Sequence, residues 1–295
     1  VVGFSEVAGE TGSSAPARDC GLREGDIITH INQAEVDSIE QVQSALQAAA
    51  GTPMSIRAVR DDKPVQFTAT AVQCGSDGQY RLGAWIRDSM AGIGTLTFCD
   101  PETGAFAALG HGISDVDTAR LMPLQSGALL YSEVTDVRKG EKGAPGELHG
   151  AFRTERELGS LSANTAAGIF GTLADSRLLR GLEPVPVAGR SEVRTGPATI
   201  LSNISGGDVE EYTVEITHLY DSGGTDTREL MVKVTDPRLL EATGGIVQGM
   251  SGSPILQDGR LVGAVTHVLV NDPTQGYGIL AETMLARAEE ADAGL

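Results

Sequence analysis

Short runs with β-strand character, separated by turn residues, dominate the sequence from residue 94 to residue 270. Long helical patterns are scarce, apart from a predicted helix near the C-terminal end, at residues 281–291. Many short strands with regular turns are typical of a sandwich or a barrel, and the chain length suits a pair of small barrels. The sequence therefore predicts a mainly β fold, carried by the runs 94–98, 105–109, 128–137, 146–153, 193–201, 212–220, 228–234 and 261–270.

The composition excludes several classes of function. The 295 residues carry a formal net charge of −18, which repels nucleic-acid backbones and anionic membrane surfaces. The 38 glycines and the aromatic content of 4% favour a β-rich fold with tight turns. The three cysteines match no zinc-binding spacing, so we predict neither a metal nor a cofactor. Because the chain begins in a strand pattern, we expect it to be a piece of a longer protein.

The first 73 residues have a pattern of their own. A predicted strand at residues 1–7 is followed by a turn and a second strand at residues 20–32. Apolar residues at helical spacing then predict a helix within residues 38–50, and two alternating runs around residues 61–63 predict a hairpin. A polar, glycine-rich link at residues 74–80 completes this part, so we predict domains at 1–73 and 74–295.

Residues 21–28, Gly-Leu-Arg-Glu-Gly-Asp-Ile-Ile, resemble the Gly-Leu-x-x-Gly-Asp-x-Ile signature of bacterial PDZ domains. The resemblance implies a small α+β domain that binds a peptide as an added strand at a sheet edge. We expect that groove between the strand near Val1–Ser5 and the helix at residues 38–50. A rigid spacer without a ligand is the alternative role for this domain.

Residues 249–254, Gly-Met-Ser-Gly-Ser-Pro, have the pattern of a turn that displays a nucleophilic serine. Glycines permit a sharp turn and leave backbone N–H groups free to bind an oxyanion. Ser251 is the predicted nucleophile, and the N–H groups of Gly249 and Ser251 form the predicted oxyanion hole. The stretch resembles the Gly-Asp-Ser-Gly-Gly-Pro signature of chymotrypsin-like peptidases, although such clusters are also ordinary loop punctuation.

A serine nucleophile needs a general base, and His111 is the best candidate. It follows a predicted hairpin strand and is flanked by Gly110 and Gly112, which favours exposure at a strand end. The remaining histidines lie within strand patterns, where packing is the ordinary role: His30, His149, His218 and His267.

Three aspartates are candidates for the acid that orients the base. Asp236 ends a predicted strand fifteen residues before the serine, a fixed position that suits an orienting acid. Asp115 and Asp117 lie closer to His111 in sequence and stay open as alternatives or as turn caps. Thr266 is a supporting candidate in the strand after the serine turn, where an ordinary β-branched strand residue is the alternative.

A PDZ signature followed by Gly-His-Gly-Ile-Ser-Asp and Gly-Met-Ser-Gly-Ser-Pro resembles the stage IV sporulation protein B (SpoIVB) peptidase family. The resemblance implies a chymotrypsin-like double β-barrel serine endopeptidase, with catalysis by His111, Asp236 and Ser251 and support from Thr266. It also implies an exported enzyme that cleaves itself and a membrane-bound regulator of an intramembrane metalloprotease, which activates a sporulation sigma factor. The implied location is the space between the forespore and mother-cell membranes.

Two other functions compete with this interpretation. A non-enzymatic PDZ scaffold with a degenerate protease fold would regulate a membrane protease complex, although the intact His111 and Ser251 argue against it. A different serine acyl-enzyme, such as an esterase, is disfavoured because residues 249–253 do not complete the Gly-x-Ser-x-Gly motif.

Overall fold

The structure is a computed structural model that describes residues 1–10, 12–220 and 227–293. Its contacts divide the chain into two compact units. The first contains Val1–Ala91 together with Asp115–Arg120, and the second contains Gly92–Ser114 and Leu121–Leu295. The predicted boundary after residue 73 falls inside the first unit. Within the described ranges, no helix is long and apolar enough to cross a lipid bilayer.

The first unit combines small antiparallel sheets with two helices. Its largest sheet has four strands in the order β5-β4-β6-β7, and the predicted hairpin is the pair β6–β7. Its elements are β1 (Gly3–Phe4), β2 (Val7–Gly9), β3 (Gly12–Ser14), α1 (Pro16–Asp19), β4 (Ile27–Ile31), β5 (Ala34–Glu35), α2 (Ile39–Ala49), β6 (Pro53–Arg60), β7 (Lys63–Thr70), β8 (Val72–Gln73), β9 (Tyr80–Arg81) and β10 (Ala84–Trp85).

Helix α2 forms where the apolar spacing predicts it. The hydroxyl of Ser38 accepts a hydrogen bond from the Gln41 N–H and caps the first turn. Val42 and Leu46 are buried against the core of this unit, so the helix is held by its apolar face as well as by its cap.

The strand near Val1–Ser5, predicted to offer an open edge to a peptide, is paired within the chain. Its partner is β10: the Val2 N–H donates to the Trp85 carbonyl at 2.8 Å, and the Ser5 N–H donates to the Gly83 carbonyl at 2.9 Å. Leu82, just before β10, is 3% exposed in the core of the unit. The link after residue 73 therefore completes the first unit.

The same segment also contacts both ends of α2. The backbone of Tyr80 exchanges hydrogen bonds with the Gln47 side chain, with both distances at 3.1 Å. At the other end, the Asp88 carboxylate accepts the Ile39 N–H at 2.8 Å. Residues 80–88 thus contact β1 and α2, the two elements predicted to border the peptide groove.

The second unit is mainly β. An antiparallel sheet of five strands has the order β11-β12-β15-β14-β13, and a closed six-stranded barrel has the order β16-β17-β18-β21-β20-β19. The elements are β11 (Leu96–Cys99), β12 (Ala105–Ala108), β13 (Ala128–Arg138), β14 (Glu147–Thr165), β15 (Gly168–Leu173), β16 (Gly196–Ser202), β17 (Glu210–Leu219), β18 (Leu230–Val234), α3 (Pro237–Thr243), β19 (Pro254–Gln257), β20 (Arg260–Val268), β21 (Gln275–Leu280) and α4 (Ala281–Ala293), with short 3₁₀ turns at Ser176–Leu179 and Arg190–Glu192.

The two predicted barrels thus take the form of one closed barrel and one open sheet. Strand β14 is 19 residues long and extends well beyond the predicted run 146–153. Helix α3 has no counterpart in the sequence prediction. It begins directly after Asp236, with Pro237 at its first position, which suits a residue that lacks an N–H.

The barrel core follows the two-residue period of its strands. Along β17, Tyr212, Val214 and Ile216 are buried while the intervening residues face solvent. Strand β20 differs because it is buried on both faces: Val265 belongs to the barrel core, and Ala264 packs in a separate cluster with Ala107. This doubly buried strand passes beneath the residues of the candidate site.

Candidate active site

The serine turn at residues 249–254 fits only because Gly252 lacks a side chain. Gly252 has a φ of +92°, and a Cβ there would lie 2.1 Å from the Thr95 carbonyl oxygen and 2.7 Å from the Leu109 nitrogen. The Ser251 carbonyl accepts the Thr95 N–H at 2.8 Å, which fixes the turn against the start of β11. Close backbone approach at a glycine therefore sets the position of Ser251.

The turn leaves two backbone N–H groups unused. The N–H groups of residues 250, 252 and 253 donate to the carbonyls of Val247, Val265 and Met250 at 3.2, 2.8 and 2.9 Å. Within the described residues, the N–H groups of Gly249 and Ser251 have no such acceptor. These are the two groups that the sequence predicts for an oxyanion hole, and they are available to an incoming anion.

The hydroxyl of Ser251 is held by the neighbouring strand. Its Oγ donates to the Thr266 carbonyl oxygen at 2.8 Å. That carbonyl is available because the β20–β21 register shifts between Val265 and His267, which makes Thr266 the extra residue of a β-bulge. Thr266 is 2% exposed, and its own hydroxyl has no hydrogen-bond partner in the described part of the chain.

The imidazole of His111 lies beside this strand. Gly110 precedes it with a φ of +69°, and a Cβ at Gly110 would lie 2.9 Å from the methyl groups of both Thr266 and Ile279. His111 Nδ1 is 2.9 Å from the Gly112 carbonyl oxygen. A carbonyl oxygen only accepts, so this contact places a hydrogen on Nδ1 and leaves Nε2 of the neutral ring as the acceptor.

A second histidine, which sequence analysis assigned to strand packing, lies against the first. The ring centroids of His111 and His267 are 4.8 Å apart. The adjacency of His267 to Thr266 was the signal available in the sequence, although contact with His111 depends on the folded chain. The structure thus groups Ser251, Thr266, His267 and His111.

The carboxylate of Asp236 is engaged elsewhere. It caps α3 by accepting the Arg238 N–H at 2.9 Å, and it pairs with the Arg238 guanidinium at 3.0 and 3.2 Å. The hydrogen bonds from Arg238, with a further one from the Thr213 N–H, lower the pKa of Asp236 to about 2. Among the described contacts, none joins Asp236 to His111, so its role as the orienting acid stays a prediction.

The alternative acids are also engaged. Asp115 and Asp117 both pair with the Arg87 guanidinium. Burial favours a raised pKa for Asp115, but hydrogen bonds from Thr118 and Asp117 and the charge of Arg87 outweigh it, so the pKa is lowered. No described contact brings either carboxylate to the imidazole.

We expect Gly252→Ala to distort the serine turn. The new Cβ meets two backbone atoms, and the positive φ adds strain, so unfolding free energy should fall by about 3 kcal/mol or more. Gly259→Ala is the matched control because Gly259 has a φ of +73° with nothing within 4 Å of a Cβ. It should cost about 1 kcal/mol. Urea denaturation measures the unfolding free energy of both variants. Equal losses in the two variants would contradict the crowding described at Gly252.

Asp236→Asn should reduce stability in a pH-dependent way. Asparagine keeps the cap but loses the ion pair, so we expect a loss of about 1–2 kcal/mol at pH 7. A lowered carboxyl pKa contributes stability above its unfolded value of 3.8, and that contribution is lost as pH falls towards 2. The gap between wild type and variant in urea denaturation should shrink over that window.

Glu210→Gln removes the exposed partner of the same arginine and serves as the control, with an expected loss below about 0.5 kcal/mol. If the difference in unfolding free energy between wild type and Asp236→Asn stays constant from pH 7 to pH 2, the ion pair is excluded as its source.

Comparison with protein families identifies two matches in this sequence. Residues 78–285 match the family described as SpoIVB peptidase S55, and residues 12–60 match a PDZ domain. No curated protein matches the sequence.

Two solved structures are similar at low identity. The active form of the Rv3671c protease from M. tuberculosis is 12% identical, with 88% of each chain covered and a TM-score of 0.38. The HtrA-type protease AlgW with a decapeptide is 16% identical, with 50% of this chain and 44% of that chain covered and a TM-score of 0.35. The family match spans most of the sequence and includes His111 and Ser251. The chain therefore belongs to the SpoIVB peptidase S55 family and is a serine peptidase that also carries a PDZ domain.

Proposed function

We propose that this peptidase is an endopeptidase of sporulation signalling. It cleaves itself and a membrane-bound regulator, which activates intramembrane proteolysis of a sigma-factor precursor. The match to the SpoIVB peptidase S55 family supports a serine peptidase in this role. We also propose, from the family resemblance, that the enzyme acts outside the cytoplasm, between the forespore and mother-cell membranes. The test in cells supplies this chain to a spore-forming host that lacks its own SpoIVB peptidase. We expect sigma-factor processing to be restored.

The chemistry follows from the serine turn. Ser251 Oγ attacks the peptide carbonyl and passes its proton to His111 Nε2, which later returns a proton to the leaving amine. The N–H groups of Gly249 and Ser251 receive the oxyanion that forms at the carbonyl oxygen. The observation that carries the proposal concerns the backbone of the serine turn. Among the described residues, the N–H groups of Gly249 and Ser251 have no acceptor, whereas those of residues 250, 252 and 253 are all hydrogen-bonded.

The hydrogen bond from Ser251 Oγ to the Thr266 carbonyl defines the resting state of the nucleophile. The hydroxyl must leave this acceptor before its proton can pass to the imidazole. One neutral hydrogen bond contributes only about 0.5–1.5 kcal/mol net, so rotation of the side chain is a small part of the activation barrier.

A fluorophosphonate probe should label the folded protein at Ser251, because only an activated serine hydroxyl reacts with it. Ser251→Ala should abolish labelling, measured by intact mass and peptide mapping. Ser253→Ala is the matched control: its hydroxyl is buried and bonds to Ser202, so labelling should persist. A folded wild-type chain without label at Ser251 would favour the non-enzymatic scaffold.

The orienting role proposed for Asp236 is tested with Asp236→Asn, under conditions where the variant is folded. If Asp236 orients the base, its replacement should lower the rate of probe labelling at saturation by about 10³-fold or more. A rate within about tenfold of wild type would limit Asp236 to the cap and the ion pair at α3.

Self-cleavage is tested between molecules. Ser251→Ala chain should stay intact alone and should be shortened by a small amount of wild type, because its own nucleophile is absent while its cleavage site is unchanged. Wild type treated beforehand with the fluorophosphonate is the control. Gel analysis and mass spectrometry follow the product, and an intact Ser251→Ala chain alongside labelled, active wild type would refute self-cleavage between molecules.

A further inference from the structure

The rings of His111 and His267 form an aromatic pair at the candidate active site. Their centroids are 4.8 Å apart and their planes are tilted by 39°. This distance lies within the range at which aromatic rings pack favourably, so the two side chains restrict each other's orientation.

The β-bulge in β20 brings His267 to this position. Val265 lies opposite Gly278 and His267 lies opposite Tyr277, so Thr266 is inserted between two otherwise consecutive pairs. In a regular strand, residues 265 and 267 would point to the same face. Here Val265 is fully buried in the barrel core while His267 is exposed beside His111. The bulge therefore turns His267 away from the core and towards the base.

The same bulge serves the nucleophile. It leaves the Thr266 carbonyl facing Ser251 Oγ, at 2.8 Å. One irregularity in one strand thus supplies a contact to the nucleophile through Thr266 and a contact to the base through His267.

The described hydrogen bond to the His111 ring does not fix its orientation alone. The Gly112 carbonyl holds Nδ1 at 2.9 Å, but rotation about the bond between Cβ and the ring breaks this contact and moves Nε2. No carboxylate in the described part of the chain bonds to the ring. A packed neighbour on the ring face opposes this rotation, and His267 is that neighbour.

We propose that His267 is a positioning residue for the general base. Its ring holds the His111 imidazole in the orientation in which Nδ1 faces the Gly112 carbonyl and Nε2 stays available to accept a proton. This rests on the proposed role of His111 as base, and it assigns His267 a task that requires a flat ring and no proton transfer of its own.

The kinetic test uses the fluorophosphonate probe on three variants. His267→Ala should lower the saturating rate of Ser251 labelling about tenfold or more, with the half-saturating probe concentration within about twofold of wild type. His267→Phe keeps a flat ring and should retain at least about half of the wild-type rate. His218→Ala is the control, because His218 is an exposed histidine whose ring packs against Tyr220, and it should leave the rate unchanged.

Nitrogen NMR of labelled histidines reports the ring directly. In wild type and in His267→Phe, His111 should show one tautomer with hydrogen on Nδ1, and in His267→Ala its signals should broaden or report mixed tautomers. Unchanged His111 signals and labelling rate in His267→Ala would overturn the proposal. The proposal would also be overturned if His267→Phe labelled as slowly as His267→Ala. An effect confined to the half-saturating probe concentration would overturn it too, because it would indicate that His267 contacts the probe.

The two proposals fail in different ways. Absence of labelling in folded wild type would refute the assigned serine chemistry, whereas the NMR comparison would still decide whether His267 holds the His111 ring. Circular dichroism and melting temperature of each variant confirm that it is folded before either comparison is made.

Discussion

Strand β20 is hydrogen-bonded to β19 and β21 and is buried on both faces, so an irregularity in its pairing has effects that its neighbours cannot absorb. The shift at Val265–His267 frees one carbonyl and re-aims one side chain. Ser251 uses the carbonyl, and His111 packs against the side chain. The close approach at Gly110 brings His111 onto this strand, and the close approach at Gly252 brings the serine turn against Thr95 and Leu109. A Cβ at either glycine would clash.

The three aspartates that the sequence offers as the orienting acid are paired with arginines. Asp236 is held by Arg238 at the start of α3, and Asp115 and Asp117 are held by Arg87. In both groups the arginine favours the ionised carboxylate. The backbone carbonyl of Gly112, rather than a carboxylate of the described residues, is the hydrogen-bond partner of His111 Nδ1.

Much of this fold could be predicted from local patterns in the sequence. Apolar spacing predicted α2, and alternation predicted the hairpin β6–β7. The glycines beside His111 and Ser251 predicted the tight turns in which these residues lie, because tight turns need glycine at particular positions. The ion pair of Asp236 with Arg238 was not predicted from the sequence. It depends on a short helix that begins with Pro237, directly after Asp236. His267 was missed because its contact with His111 arises from a strand irregularity between residues distant in sequence. The full length of β14 was missed because charged residues interrupt its apolar pattern where it is exposed.

The pairing of β10 with β1 has a consequence for how this protein can be divided or recombined. A cut at the glycine-rich link after residue 73 would separate a PDZ sequence signature from one of its own strands, exposing the side of the core that Leu82 covers. The compact unit to which this strand belongs contains Val1–Ala91 together with Asp115–Arg120. A transfer of this domain to another protease would therefore have to include β10. The glycine-rich segment after residue 73, which has the composition of a linker, would be transferred with it.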